Sequence, residues 1–179
     1  GPEYIAALRI GHTVEGLSFF LAMGFSMSVA TCIGQNLGAK QPQRAAQAAW
    51  ISAGMVAGVL AVLSVLFYLF SYQIGSVFTQ DLQAISACDE YLKILAYSQV
   101  FMGLELVFVG AFSGAGDTMP PMVLLVPLNL ARIPAAFLLE GISGMGISGV
   151  WWAISGSSIL KGILIMIWFS RGGWKKKRI

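Results

Sequence analysis

Charge is the property that this sequence has least of. Asp, Glu, Lys and Arg together make up 11% of its 179 residues, whereas soluble domains carry about 25%. The residues between these charges form five long apolar runs, and the first two, 16–39 and 45–80, contain no charge at all. A soluble core has no room for five such runs in a chain of this length, so the composition excludes a soluble globular protein.

Several enzyme motifs are also missing. The sequence has no His-Glu-x-x-His zinc pair, no Gly-x-Ser-x-Gly nucleophile turn and no Walker-type phosphate loop. Gly114 to Asp117 matches the GxGD pattern of intramembrane aspartyl proteases, but that chemistry needs a second carboxylate, and the apolar runs contain no Asp. We therefore predict a protein that is not an enzyme and holds no cofactor or metal. Because the basic residues cluster at one end of the chain, we also expect no nucleic-acid partner.

Each apolar run is long enough to cross a membrane. A hydrocarbon core about 30 Å thick takes roughly 20 helical residues, and these runs do not alternate as barrel strands do. The sequence therefore predicts an all-α integral membrane protein that forms one transmembrane domain over residues 1–179. Its five helices are predicted at about 12–34, 45–70, 90–113, 119–139 and 147–170.

The distribution of basic residues predicts the orientation. Seven of them fall on the side that the chain reaches after the first helix: Lys40, Arg44, Arg171, Lys175, Lys176, Lys177 and Arg178. Only Arg9 and Lys93 fall on the other side, so the positive-inside rule predicts a multi-pass protein of the cell (inner) membrane with a cytoplasmic C-terminus. The basic tail, 171–179, is expected to touch anionic headgroups from Trp174 onward. An amino end outside the cell suggests a fragment of a larger membrane protein.

The two cysteines are predicted to be free. Cys32 lies near the cytoplasmic end of the first helix, and Cys88 lies near the opposite face just before the third. A disulfide needs Cα atoms about 4.4–6.8 Å apart, which excludes a bond across the membrane.

Four segments carry a family resemblance. The first, Gly24 to Ala39, is also rich in small residues, which let membrane helices approach closely. Its end, Gly34 to Ala39, is followed by Pro42 and Arg44; the other segments are Gly110 to Thr118 with Pro120, Arg132-Ile133-Pro134, and Gly146 to Ile154. In this order and spacing they resemble the multidrug and toxic compound extrusion (MATE) family. The motif residues are Gly34, Gln35, Gly38, Gly114, Gly116, Asp117, Pro120, Pro127 and Pro134.

The resemblance implies a fold and a function. The MATE fold has twelve helices in two lobes, and this chain would supply helices eight to twelve, which is most of the C-terminal lobe. The implied activity is secondary active efflux that exchanges Na⁺ or H⁺ for organic compounds, with a cationic compound expected, by alternating access. The implied partners are the missing N-terminal lobe, the lipid bilayer and small organic molecules. Two alternatives stay open: a lipid-linked sugar flippase of the same superfamily, and a membrane fragment that transports nothing.

Glu105 is the candidate for ion coupling because it lies in the middle of the third predicted helix. A charged side chain near the bilayer centre costs about 2.5–3.5 kcal/mol on insertion scales, so it usually faces a cavity or a partner. Such a carboxyl favours its neutral form unless a cation arrives, which is the behaviour that an ion-coupled carrier needs. The alternative is a structural Glu bonded to a neighbouring helix. Family members often carry the acid one turn earlier, where this chain has Met102.

Two intramembrane cations lie in the last two helices. Arg132 lies between Pro127 and Pro134 and three residues after Asn129, which indicates either a bent, polar helix beside a cavity or an Arg that reaches the outer interface. Lys161 is too deep to reach the interface easily, so we expect it to pair with Glu105 or Glu15.

Arg9, His12 and Glu15 recur every three residues at the outer end of the first helix. This pattern is typical of a solvated stripe, and the alternative is a gate or proton-access route, since His titrates near neutral pH. Glu15 is therefore the second ion-coupling candidate. The remaining candidates for contact with substrate are large and adaptable side chains: Phe101, Met102, Met23, Met27 and Phe112.

Overall fold

A computed structural model of the chain describes residues 2–141 and 145–176. These residues form six α-helices, α1 Pro2–Gly38, α2 Pro42–Leu69, α3 Ser71–Phe78, α4 Leu82–Gly114, α5 Met119–Gly141 and α6 Ile147–Ser170, and a short 3₁₀ turn, Gly173–Lys176. All but α3 are long and apolar enough to cross a membrane. The prediction of an all-α protein with five membrane-spanning helices is confirmed.

Two of the spanning helices extend beyond the predicted starts. α1 begins at Pro2 instead of residue 12, and α4 begins at Leu82 instead of residue 90. The Asp81 side chain caps α4 by accepting a hydrogen bond from the Gln83 backbone N–H at 3.0 Å. The added turns of α4 are too polar to belong to an apolar run, and the Asp81 cap stabilises them as helix. The short helix α3 was not predicted.

The helix α4 lies at the centre of the bundle. It packs against α1, α2, α3 and α6, whereas α5 packs almost entirely on α6. The helices α1, α4 and α6 run in the same direction, because residue numbers rise together along their contacts: Gly11 meets Tyr91, and Lys161 meets Glu105 further on. We call the end where these three helices finish the basic end, since it carries Lys40, Arg44, Arg171 and Lys175, and the opposite end the far end.

In the basic half of the bundle, α1 and α4 approach each other through small residues. Ser26 and Ala30 on α1 face Gly110 and Gly114 on α4. A Cβ added to Gly114 would lie 2.7 Å from the Ala30 Cα, and one added to Gly110 would lie 2.9 Å from the Ser26 carbonyl carbon. The predicted close approach through small residues is confirmed, and it fixes the register of α4 against α1.

The segment after α6 folds back onto the bundle. Trp174 is 1% exposed, its ring stacks on Phe169 at 4.6 Å, and its indole N–H donates to the Phe169 carbonyl at 3.0 Å. The expected contact of Trp174 with lipid headgroups is therefore wrong, because the indole is buried against Phe169 and its N–H is satisfied by the Phe169 carbonyl. Lys177 and Arg178, which belong to the same prediction, lie outside the described residues.

The turn between α1 and α2 contains the first family motif. α1 continues through Gly34 and Gln35 to Gly38, and Lys40 then takes a left-handed conformation with φ of 58°. The backbone N–H of Gln41 closes the turn by donating to the Asn36 carbonyl at 2.8 Å. At the end of α4 a second turn uses Gly116 with φ of 68°, and Asp117 beside it is 8% exposed.

Cys32 is exposed and Cys88 is buried, and both are free. The prediction of two unpaired thiols is confirmed.

The contact between α1 and α4 predicts which glycines tolerate a methyl group. Gly114→Ala should destabilise the detergent-solubilised full-length protein by about 1–3 kcal/mol, because the new Cβ meets backbone that cannot move aside. Gly54→Ala is the matched control, since nothing lies within 4 Å of its added Cβ, and it should be neutral or stabilising by about 0.5–1 kcal/mol. Thermal unfolding measures both; equal effects of the two substitutions would contradict the close packing.

Candidate functional site

An ion pair joins α4 to α6 in the middle of the membrane-spanning region. Lys161 Nζ lies 3.1 Å from Glu105 Oε1, and their side chains are 8% and 13% exposed. The next residue, Gly162, lets α6 approach, because a Cβ there would lie 2.5 Å from the Phe101 carbonyl oxygen. The prediction that Lys161 pairs with Glu105 or Glu15 is confirmed for Glu105. The carboxyl is therefore not isolated, since the chain supplies its counter-ion.

Polar side chains recur every seven residues along one face of α4. Tyr91, Ser98 and Glu105 share this face, which we call the polar stripe; seven residues are about two turns of helix. Ser98 Oγ lies 3.3 Å from the hydroxyl of Ser155 on α6, and Ser155 in turn donates to the Ile94 carbonyl at 3.2 Å. Hydroxyl groups thus bridge α4 and α6 between the far end and the ion pair.

Arg132 brings a second cation to the same region from α5. Its Nε donates to Ser157 Oγ at 2.7 Å, and its Nη2 donates more weakly to Ser158 Oγ at 3.4 Å. Its positive charge interacts electrostatically with both Glu15 and Glu105. Arg132 lies 13 residues after the start of α5 and 9 before its end, so the serines hold it well inside the membrane-spanning part.

Glu15 links this region to the far end of the bundle. Its Oε2 lies 3.3 Å from Nδ1 of His12, whose side chain is 61% exposed, whereas that of Glu15 is 23% exposed. The ring of Tyr91 lies edge-on to the His12 ring, with centroids 6.4 Å apart. Arg9 remains on the exposed surface. We call Glu15, Glu105, Arg132 and Lys161 the charged cluster; its two carboxyls and two cations come from four helices.

Other predicted contacts lie elsewhere. Met23 and Met27 are 42% and 65% exposed, and Asn129 is exposed on α5. Phe101 lines a separate groove of about 590 Å³ between α2 and α4, and Phe112 is buried against Phe169. Met102 is half-buried on α4.

The two prolines of α5 do not interrupt it. α5 continues through Pro127 and Pro134, which are both exposed, and Pro120 is buried in its first turn. The sequence did not identify Ser155, Ser157 and Ser158 as partners, although this run of hydroxyls within an apolar helix is a visible signal. Intramembrane serines often bond across helices.

Comparison with known proteins places these features in a family. The MatE family model matches residues 1–138. A relative from Thermotoga maritima, named probable multidrug resistance protein NorM, is 29% identical over 182 residues that cover all of this chain and 39% of that protein. Another, named FAD transporter, from Shewanella oneidensis, is 29% identical over 160 residues, 89% of this chain and 35% of its own length.

A solved structure has the same fold. The eukaryotic MATE transporter AtDTX14 matches 98% of this chain with a TM-score of 0.90 at 18% sequence identity, and the match covers 40% of that chain. This chain spans about 39% of the length of the Thermotoga maritima relative. Because the family model covers more than half of the residues, the chain belongs to the MatE family of multidrug and toxin extrusion transporters.

Proposed function

We propose that this chain is part of a secondary active efflux transporter that exchanges Na⁺ or H⁺ for organic compounds by alternating access. The observation that carries the proposal is the ion pair between Glu105 and Lys161, which lies within the membrane-spanning parts of α4 and α6 and is under the influence of the Arg132 charge. Membership of the MatE family supports the same activity. In this proposal an N-terminal lobe of the same polypeptide completes the substrate cavity, and the bilayer surrounds both lobes.

The ion pair suggests how an incoming ion is sensed. Lys161 already neutralises Glu105, so a proton or Na⁺ that binds Glu105 competes with the ammonium group at 3.1 Å. Binding then leaves Lys161 as an uncompensated cation in a low-dielectric region, which is strongly unfavourable. The free-energy cost of this unpaired charge favours a second arrangement of the lobes, in which Lys161 has other partners. The ion thereby shifts the equilibrium between two conformations, as an exchanger requires.

Two substrate classes follow from the charges. An amphipathic organic cation is the first, since Glu15 and Glu105 are carboxyls in the charged cluster and the Thermotoga relative is named a multidrug resistance protein. An organic anion is the second candidate, favoured by Arg132, whose hydrogen-bond partners are neutral hydroxyls. Among the described residues no carboxylate lies within 4 Å of it, and the Shewanella relative is named an FAD transporter. A lipid-linked sugar flippase also belongs to the anion class.

We also propose that the basic end faces the cytoplasm and that the membrane is the cell membrane. Lys40, Arg44, Arg171 and Lys175 lie at the basic end, and Arg9 and Lys93 belong to the half nearer the far end. The positive-inside rule assigns the end with more Lys and Arg to the cytoplasm. The coupling ion then enters at the far end, where His12 is exposed.

Removing the charge of Glu105 tests the coupling role. Glu105→Gln in the full-length protein should abolish ion-driven efflux of an organic cation while expression stays normal, because the amide cannot exchange a proton or Na⁺. Glu105→Asp keeps the carboxylate and should retain part of the activity. Glu90→Gln is the matched control on the same helix, since Glu90 is exposed and accepts a hydrogen bond from Ser148 at 2.5 Å.

The measurement is efflux from energised vesicles with either a Na⁺ gradient or a pH gradient imposed alone, which separates the two coupling ions. Normal efflux by Glu105→Gln would show that this carboxyl is structural and would remove the proposed mechanism.

The counter-ion role of Lys161 gives a stability prediction. Lys161→Met should destabilise the full-length protein by about 3–5 kcal/mol, because it leaves a buried carboxyl without its partner. The double variant Glu105→Gln with Lys161→Met should be more stable than Lys161→Met alone. Lys93→Met is the control, since the Lys93–Asp89 pair is at the surface and its loss should matter little. Thermal unfolding of the wild type, Glu105→Gln, Lys161→Met, the double variant and the Lys93→Met control tests this. Additive effects of the two substitutions would show that the pair contributes no coupling energy.

The substrate class is decided by a parallel assay. Vesicles that contain the full-length protein should export an organic cation and should neither export FAD nor translocate a lipid-linked sugar. If the vesicles export FAD or translocate a lipid-linked sugar instead, and Arg132→Gln abolishes that transport, the anion class replaces the cation class.

A further inference from the structure

Four deeply buried polar side chains in the far half of the bundle have no hydrogen-bond partner among the described residues. They are Ser18, Tyr91, Gln99 and Trp151, all 2% exposed or less. Gln99 is the extreme case, because both its amide oxygen and its amide nitrogen are unpaired. Buried polar groups in native proteins are almost always satisfied, so these groups call for partners that are not protein atoms.

Ser18 and Gln99 lie level with each other across the contact between α1 and α4. Gly11 meets the ring of Tyr91, and the Ser26 hydroxyl donates to the Leu106 carbonyl at 2.7 Å. Ser18 is seven residues after Gly11, and Gln99 is seven residues before Leu106. Because the two helices are parallel and this register is fixed on both sides, the hydroxyl and the amide lie at the same level of the contact between α1 and α4.

Gln99 adjoins the polar stripe, which reaches Glu105 of the charged cluster one step further along α4. Ser98, the neighbour of Gln99, lies midway along α4 between Tyr91 and Glu105. The ring of Tyr91 lies edge-on to the ring of the exposed His12 with centroids 6.4 Å apart, and His12 Nδ1 lies 3.3 Å from Glu15 Oε2. Polar groups thus continue from the surface of the far end to Glu105. The ionisable groups along this line are His12, Glu15, Tyr91, Arg132, Glu105 and Lys161.

We propose that Ser18 and Gln99 line a buried, hydrated pocket through which a small cation passes from the far end to Glu105. The role of Glu105 as the destination rests on the proposed function; the hydration of the pocket does not. A hydroxyl oxygen and an amide oxygen are suitable ligands for a small hard cation, and together with the amide N–H they offer a water molecule the several partners that it needs.

Chemical access to position 18 tests the pocket without measuring transport. Ser18→Cys is placed in a full-length protein whose other cysteines, including Cys32 and Cys88, are replaced by alanine. Intact cells are exposed to Ag⁺ in chloride-free buffer, and the protein is then purified, denatured and labelled with a fluorescent maleimide. Phe20→Cys is the matched control at nearly the same depth, because Phe20 is 72% exposed and lies about 200° around α1 from Ser18, away from α4.

The expected result is that Ag⁺ protects the thiol of the Ser18→Cys variant from the maleimide at least tenfold more than it protects the thiol of the Phe20→Cys variant. A small hydrated cation reaches a wet pocket, whereas a thiol in hydrocarbon does not react. Equal and low protection of the two variants would show that the pocket is dry and would overturn the proposal, whatever the outcome for Glu105→Gln.

Gln99→Leu supplies a second, independent readout. If the amide serves a hydrated route, this variant should slow ion-driven efflux by about tenfold, the loss expected for one buried hydrogen-bonding group. Leu60→Met, a buried apolar change on α2, is the control and should leave the rate unchanged. If Gln99→Leu instead raises thermal stability and leaves efflux at the normal rate, the amide is an unpaired group in a dry core and the proposal fails. Failure of the proposed function is a different result, namely efflux that is insensitive to Glu105→Gln.

Discussion

The structure depends on one constraint: a charge inside a lipid-surrounded bundle must find its partner within the protein. The pair between Glu105 and Lys161 meets this constraint across α4 and α6. Arg132 meets it from α5 by donating to two serine hydroxyls on α6. α6 thus carries partners for charges from both of its neighbours, and this role explains why an otherwise apolar helix contains a lysine and a run of serines.

The side chains that lie between α1 and α4 differ between the two halves of the bundle. In the basic half, Gly110 and Gly114 bring backbone against backbone, which leaves no space for water or for rearrangement of this contact. In the far half, the same two helices enclose the polar side chains of Ser18 and Gln99. A rigid half beside a polar half suits a lobe that moves as one body while an ion binds inside it.

The charged cluster is balanced, since it has two carboxyls and two cations. When a balanced cluster binds one cation, the cluster acquires a net charge. The free-energy cost of that net charge is large in a low-dielectric region. In the proposed mechanism an ion that binds Glu105 influences the whole lobe for this reason. Arg132, whose charge acts on both carboxyls, belongs to the same electrostatic unit.

The sequence by itself determined the membrane-spanning helices, because helix length and hydropathy are local properties of the chain. It also determined that Lys161 needs a carboxylate, since a lysine at that depth has few alternatives. Only the tertiary structure decided which carboxylate it is, that Arg132 turns toward Ser157, and that Trp174 returns to Phe169. The first two choices depend on how far α6 is rotated and shifted against its neighbours, and that register is set by the close contacts of Gly162 with Phe101 on α4 and of Gly149 with Leu139 on α5. The position of Trp174 depends on how the chain turns back after α6.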